Sequence, residues 1–306
     1  MSQLAPVLDH SYLGLDGEQL HIARWLPAGE IRATALLLHG SLANGRSFYS
    51  HSGRGLAPFL ARHGIACYVP DLRGRGRSTP TLSRHSRHGQ WETVVVDIPA
   101  LHAWVRQCHP DLPVHWLGHS WGGVMMVAAL ARQPQLAADV ASLTLLASKR
   151  RLLQRSLAYH LQVNVIWRGL ARAVAAVVGY LPARALRIGA DNETRLSLSE
   201  TYPWLKAGPW RDPRDGFDYS SALARLRLPR CWLLAAQDDP VLGHPADVRR
   251  LADELPGPVR YSIHGRAHGG LQDYSHIGLL IHPDAERDHF PQILAWLNSD
   301  VDVNSP

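Results

Sequence analysis

The sequence predicts an α/β fold in which helices flank a mainly parallel central sheet and a helical segment is inserted between two strands. Short apolar runs that suit buried strands alternate with runs that suit helices, and this alternation is typical of βαβ units. The alternation stops between residues 148 and 220, a stretch too long for a plain loop. We therefore expect a core domain formed by residues 1–147 and 221–306, with residues 148–220 as a helical lid.

The first part of the chain is predicted to supply three strands and two helices. The strand-like runs are Gln19–Leu26, which alternates as an edge strand does, and the apolar runs Ala33–Leu38 and Ile65–Val69. Helical apolar spacing covers Phe48–His63 and Trp91–Gln107. Because proline has no backbone N–H and clashes within a helix, we expect Pro99 to kink or shorten the second helix.

The central stretch joins a buried strand, Pro113–Leu117, to an Ala-rich helix, Val124–Leu130. The residues between them read GHSWGG and fit the pattern G-x-S-x-G, the sharp strand-to-helix turn called the nucleophile elbow. The turn is formed by Gly118, His119, Ser120, Trp121 and Gly122. Its glycines lack a Cβ and let strand and helix approach closely, so that the serine hydroxyl is exposed at the top of the sheet. We therefore predict that Ser120 is a nucleophile.

The alternation resumes after the central stretch. Apolar runs predict strands at Val140–Ala147, Cys231–Ala236 and Val259–Ile263. Helices are expected around Ala246–Leu255 and Arg287–Leu297. Within the predicted lid, helical stretches such as Leu157–Gly179 are accompanied by several tryptophans and leucines, which would pack the lid and line an acyl pocket.

A serine nucleophile needs a base to take its proton and an acid to orient that base. In this fold the chain order is serine, acid, histidine, so the acid should follow the strand Cys231–Ala236. Asp238 and Asp239 both stand there, and we favour Asp239, because it directly precedes Pro240-Val241 and so fits a rigid turn at the strand tip. Both His268 and His276 follow the last strand and could serve as the base.

The oxyanion that forms on attack needs backbone N–H donors that are already in place. The residue after the nucleophile, Trp121, should supply one donor. The turn His39-Gly40-Ser41 follows the strand Ala33–Leu38, and Ser41 should supply the other. Gly40 would let the backbone come close.

Composition narrows the classes of function. The chain is mildly basic, with 32 Lys and Arg residues against 26 Asp and Glu residues. Arginines are concentrated in residues 73–87 and 149–155. We interpret these segments as solvated loops, which would also allow peripheral contact with a membrane surface. No basic helix or zinc-finger spacing argues for nucleic acid, and 18 histidines show no metal-ligand spacing. Three separated cysteines indicate no disulfide framework and a cytoplasmic location. No segment predicts a signal peptide or a membrane span, and no cofactor is expected.

The motifs together resemble the α/β-hydrolase superfamily over nearly the whole chain. The matching segments are LLLHGS (36–41), YVPDLRGRGRS (68–78), WLGHSWGG (116–123), LLAAQDDPV (233–241) and DYSHIGLLIHPDAERDHFPQILAWL (273–297). Within the superfamily the chain is similar to lipase-like serine hydrolases, including esterases and monoacylglycerol-lipase-like enzymes. Some branches carry the base in the motif D-Y-G-H-x-D-x-L, which implies His276 here, although Ser275 replaces that Gly and Gly278 that Asp. His268 stands where other branches keep the base.

The resemblance implies cofactor-free serine chemistry. The leading hypothesis is hydrolysis of lipid-like or medium-chain carboxylic esters through an acyl-Ser120 intermediate. The alternatives are an acyltransferase, thioesterase or amidase that uses the same serine, and a hydrolase-fold binding protein without catalysis.

Overall fold

The computed structural model describes residues 5–152, 165, 169–206 and 208–299, and its central feature is a sheet of eight strands. The strand order is β1-β2-β4-β3-β5-β6-β9-β10. The first two strands run antiparallel to their neighbours and the remaining pairs are parallel, which confirms the predicted fold class. The strands of this sheet are β1 Val7–Leu15, β2 Glu18–Leu26, β3 Ala33–Leu38, β4 Ile65–Pro70, β5 Val114–His119, β6 Val140–Leu146, β9 Arg230–Ala236 and β10 Val259–His264.

Helices cover both faces of the sheet. In the described residues they are α1 Leu56–Arg62, α2 Gln90–Glu92, α3 Ile98–Cys108, α4 Trp121–Arg132, α5 Pro134–Asp139, α6 Arg172–Val178, α7 Arg195–Trp204, α8 Tyr219–Leu223, α9 Pro245–Glu254, α10 Gly278–Ile281 and α11 Phe290–Asn298. Short 3-10 turns lie at Gly45–Ser47, Arg266–His268 and Pro283–Glu286. A two-stranded ribbon, β7 Tyr180–Leu181 and β8 Glu193–Thr194, lies between α6 and α7.

The core consists of two apolar layers, one on each face of the sheet. Alternate residues of β3 point into different layers: Leu36 and Leu38 pack in one, and Ala35 and Leu37 in the other. Because successive side chains of a strand point to opposite faces, a strand buried on both faces must be apolar at every position. This is why the central strands read as continuous apolar runs.

Between β6 and β9 the chain leaves the sheet, and residues 148–220 contain α6, the ribbon, α7 and the start of α8. Of the predicted helical stretch Leu157–Gly179, residues 157–164 and 166–168 lie outside the described residues. The helix α6 falls within its remainder. The description of residues 148–220 as a lid stays a prediction.

The structure differs from the sequence-based expectations at three elements. Strand β1 was not predicted; it pairs with β2 along its whole length at the outer edge of the sheet. The helix expected over Phe48–His63 is confined to Leu56–Arg62, because the chain turns at residues 50–54 and Gly55 adopts φ 117°. The segment before Pro99 is helical but of the π type over Thr93–Asp97, so the proline stands in the first turn of α3, where its missing N–H costs nothing.

The interpretation of the basic clusters as solvated loops is wrong for four residues. Arg73 and Arg75 are buried in ion pairs with Asp97 and Glu193, respectively. Arg150, only 1% exposed, pairs with Glu254, and Lys149 is buried as well.

All three cysteines are free thiols. Among the described helices, none has the length and apolar character needed to cross a bilayer.

Candidate active site

Ser120 stands at the tip of the sharp turn between β5 and α4. Its backbone adopts φ 53° and ψ −124°, in a region that residues with a Cβ rarely occupy. Its N–H donates to the carbonyl of Leu146 on the neighbouring strand at 2.8 Å, which holds the turn against the sheet. Strain of this kind, of the order of 1–3 kcal/mol, persists only where the surroundings impose it and is concentrated at functional sites.

The glycines of the turn are required by close packing. A Cβ on Gly118 would lie 2.4 Å from the Cα of Gly123, and one on Gly122 would lie 2.4 Å from the carbonyl oxygens of Leu38 and His39. Both distances are far shorter than real carbon contacts. Any larger residue would therefore push α4 away from β3 and β5 and move Ser120 with it.

Asp239 and His276 are joined by a hydrogen bond. Asp239 follows β9, is 3% exposed, and its Oδ2 accepts from Nδ1 of His276 at 2.5 Å. Burial raises the pKa of the Asp239 carboxyl, but the hydrogen bond and charge of His276, with smaller contributions from Gly243 and Lys149, hold that pKa below its ordinary value. The carboxylate is therefore ionised at neutral pH and can only accept, so Nδ1 carries the proton and Nε2 is left as a base.

The two alternative residues lie elsewhere. Asp238 is exposed, and its N–H donates to the carbonyl of Tyr274 at 2.9 Å. His268 is exposed in the 3-10 turn Arg266–His268, whereas His276 lines the same cavity as Ser120. The structure thus joins Asp239 and His276 in one hydrogen-bonded pair, with His276 lining the cavity at Ser120, and neither Asp238 nor His268 belongs to it.

A second buried histidine supports the first. Nε2 of His119 donates to the backbone carbonyl of His276 at 3.0 Å, and the two rings lie 4.7 Å apart. Burial and the nearby charge of His276 lower the pKa of His119 to about 3, so its ring stays neutral. The sequence assigned His119 only to the turn, whereas the structure places it where it fixes the backbone of the His276 loop.

The turn after β3 lies against Ser120. Gly40 is so close that a Cβ there would stand 2.9 Å from the Cβ of Ser120. His39 fixes this turn: its Nδ1 donates to the Gly40 carbonyl at 2.9 Å while its Nε2 accepts the N–H of Leu72 at 3.1 Å. Burial and the charge of Arg75 lower the pKa of His39 to about 4, consistent with a neutral ring in these two roles.

The predicted oxyanion donors border the same space. Ser41 and Trp121 both line the cavity at Ser120, and neither backbone N–H donates to an acceptor within the described part of the chain. The indole N–H of Trp121 is used elsewhere, as a donor to the side-chain oxygen of Gln90, which anchors this residue.

The cavity beside Ser120 has a volume of about 270 Å³. This is close to the lower end of the range for small-molecule sites, about 300–1,000 Å³. Part of its wall comes from α7 and the residue after it, through Leu198, Thr201, Tyr202 and Leu205. The rest of the wall is mostly apolar, with further residues Leu42, Ala43, Leu152, Ile188, Leu242 and Ile277.

Three charged side chains interrupt this wall: Lys149, Arg172 and Glu193. Glu193 is paired with Arg75. Sequence reasoning missed Lys149 as a site residue, because it was grouped with a basic run. One signal was available: Lys149 lies three residues after the carboxyl end of β6, and ligands of parallel α/β sheets bind at the carboxyl ends of strands.

No group of three or more His, Cys, Asp or Glu side chains in the described ranges is arranged to hold a metal ion.

Comparison with known proteins identifies the class. Residues 35–261 match the family model described as the alpha/beta hydrolase fold, and the chain belongs to this family of hydrolases.

Individual relatives narrow the comparison. The chain is 30% identical over 128 residues to a monoacylglycerol lipase of Mycolicibacterium smegmatis, a match that covers 41% of this chain and 42% of that protein. It is 30% identical over 135 residues to the monoglyceride lipase of Rattus norvegicus, covering 43% and 41%. The chain thus spans about two fifths of the length of these relatives. A solved structure of a soluble variant of monoglyceride lipase from Saccharomyces cerevisiae, bound to a substrate analog, shares the fold with a TM-score of 0.65, 15% identity and coverage of 97% of this chain and 96% of that chain.

Proposed function

We propose that this protein hydrolyses carboxylic esters of lipid-like or medium-chain acyl groups through an acyl-serine intermediate. Ser120 is the nucleophile, His276 the base and Asp239 the acid. The observation that carries the proposal is the Asp239–His276 hydrogen bond of 2.5 Å beside a serine held in strained backbone geometry. The partial similarity to two monoglyceride lipases supports the choice of ester substrate.

Acylation follows from these contacts. Because Nδ1 of His276 donates to Asp239, its Nε2 is free to take the proton of the Ser120 hydroxyl as Oγ attacks the ester carbonyl carbon. The oxygen of that carbonyl becomes an anion that accepts from the N–H groups of Ser41 and Trp121. In well-studied cases each such donor lowers the activation barrier by about 2.7–4 kcal/mol.

The tetrahedral intermediate then collapses to an acyl-enzyme, which is hydrolysed in a second stage. The alcohol leaves with the proton that His276 had taken, and the acyl group remains on Ser120. Water next attacks the acyl carbon while His276 takes a proton from it, and the second tetrahedral intermediate releases the carboxylic acid and returns the proton to Ser120 Oγ. Asp239 stays ionised throughout and stabilises the imidazolium form of His276.

The wall of the cavity supports the choice of acyl group. A mostly apolar space of about 270 Å³ suits a chain of medium length better than a long one. In this proposal residues 148–220 act as the lid, since α7 closes part of the cavity. A cytoplasmic location and peripheral membrane contact remain predictions.

The test is hydrolysis of a chain-length series of p-nitrophenyl esters by the wild type and Ser120→Ala. We expect a preferred chain length for the wild type and a loss of kcat of at least about 10⁴-fold in the variant, since a triad nucleophile cannot be replaced by water alone. Circular dichroism of both proteins controls for folding. Ester cleavage by a folded Ser120→Ala at more than a tenth of the wild-type rate would refute the proposal.

A further inference from the structure

Lys149 is a buried cation at the cavity that the proposed chemistry does not use. Its side chain is 7% exposed and lines the same space as Ser120 and His276. No residue in the ranges that the structure describes forms an ion pair or hydrogen bond with it. The internal stretch 153–168 holds neither Asp nor Glu, so it can supply no carboxylate.

Among the residues that the structure describes, the anions nearest to Lys149 are already engaged. Asp239 and Asp247 attract Lys149 from beyond ion-pair distance. Asp239 accepts from His276, and Asp247 pairs with Arg250 at 2.7 Å. Burial lowers the pKa of Lys149, which is the expected result for an ammonium without a close counter-ion.

A buried charge without a partner is costly, and proteins keep one chiefly where a ligand completes it. The residue type supports this, because Lys149 is one of only two lysines in a chain with 30 arginines. The ammonium group of lysine is a compact charge that can bind an anion in a confined space. The planar guanidinium of arginine is wider and favours bidentate pairing. Arg172, exposed at the same cavity, adds a second positive charge.

We propose that Lys149 is a specificity residue that binds an anionic group of the substrate, so that the preferred ester carries a carboxylate on its acyl chain in addition to the bond that is cleaved. The location of this site rests on the proposed hydrolysis at Ser120. The apolar wall takes the methylene chain, and the Lys149 ammonium takes the carboxylate.

The test compares two acyl esters that differ in one charge: mono-4-nitrophenyl adipate, which carries a free carboxylate, and methyl 4-nitrophenyl adipate, which is neutral. We expect the wild type to cleave the anionic ester with a kcat/KM at least about tenfold higher, mainly through a lower KM. Lys149→Met should remove this preference, because the kcat/KM of the anionic ester should fall much further than that of the neutral ester. Lys149→Arg, which restores the charge, should recover part of the preference.

Lys206→Met is the matched control, because it removes the chain's other lysine, which is exposed and packs 4.6 Å above the ring of Tyr202. It should leave the preference for the anionic ester unchanged. A wild type that cleaves both esters with the same kcat/KM would overturn the proposal. So would a Lys149→Met variant that slows both esters equally, since that result would mean that Lys149 acts only through Asp239 and His276. If Lys149→Met does not fold, Lys149→Gln replaces it.

Calorimetric binding separates this proposal from the proposed hydrolysis. Because the wild type would hydrolyse these methyl esters during a titration, binding is measured in Ser120→Ala. Monomethyl adipate should bind this variant at least about tenfold more tightly than dimethyl adipate does, and adding Lys149→Met should abolish the difference. If the wild type cleaves neither nitrophenyl ester yet Ser120→Ala shows this difference in binding, hydrolysis fails and the anion site stands. If the wild type cleaves the neutral ester yet Ser120→Ala binds both adipates equally, hydrolysis stands and the anion site fails.

Discussion

Asp239 and Asp238 are adjacent in sequence but differ sharply in their surroundings, and this contrast gives the sharpest test of the proposed acid. Asp239 is buried and bonded to His276 at 2.5 Å, whereas the side chain of Asp238 is exposed. Asparagine has nearly the shape of aspartate but can present its NH₂ group to Nδ1 of His276. The proton would then move to Nε2, and the histidine could no longer take the proton of Ser120.

We expect Asp239→Asn to lower kcat by about 10³–10⁴-fold, equivalent to roughly 4–5.5 kcal/mol of barrier, because a triad acid replaced by its amide costs about that much elsewhere. Asp238→Asn should stay within about twofold of the wild type, since no catalytic group depends on its carboxylate. The assay is steady-state hydrolysis of the preferred p-nitrophenyl ester near neutral pH.

Thermal melts of both variants should be recorded beside the kinetics, so that a loss of structure is not mistaken for a loss of chemistry. Asp239→Asn activity within tenfold of the wild type would refute the assignment. A larger loss in Asp238→Asn than in Asp239→Asn would reverse it.

Two further outcomes are expected. His276→Asn should reduce kcat at least about 10³-fold while the matched substitution His268→Asn stays within about twofold, as measured on the same ester; equal losses would contradict the choice of base. Burial raises the pKa of Glu200 from 4.5 to about 7, although the N–H donors of Gln90 and Trp91 act in the opposite direction. Between about pH 5 and pH 8 the folded state therefore holds a proton that the unfolded chain has lost. The wild type should become less stable as the pH rises through this range. The side chain of Glu200→Gln cannot ionise. In urea denaturation, the free energy of unfolding of this variant relative to the wild type should rise by roughly 1–3 kcal/mol between pH 5 and pH 8. A difference that stays constant over this range would rule out Glu200 as the titrating group.

Much of the fold could be predicted because the central strands are buried on both faces. An apolar run as short as Ala33–Leu38 suits a strand buried on both faces better than a helix, and β3 spans those residues. Strand β1 escaped prediction because its residues are only partly buried and contain no sustained alternation of apolar and polar types. It is paired with β2 through backbone hydrogen bonds, and the residue types of a strand give only weak evidence for such pairing.

The candidate site could be predicted where one local motif specifies one geometry. The glycines around Ser120 had a single consistent interpretation, and the structure places the serine in that turn. The choice between His268 and His276 could not be made from spacing, because a loop from a strand tip is not limited to one length. Lys149 and Arg75 were misjudged for a different reason: their burial depends on contacts with residues distant in the sequence, such as Glu193 for Arg75.

The buried pair of Arg75 and Glu193 has a consequence for anyone who wishes to exchange modules between members of this family. Arg75 belongs to the loop after β4 and Glu193 to the 148–220 segment, so the pair ties a segment that looks transferable to the core beneath it. A chimaera that received this segment from a relative without the acidic partner would leave an arginine buried and uncompensated, at a cost of about 3–5 kcal/mol. A chimaera must therefore include residues 75 and 193 from the same parent, although they lie in two separate parts of the chain.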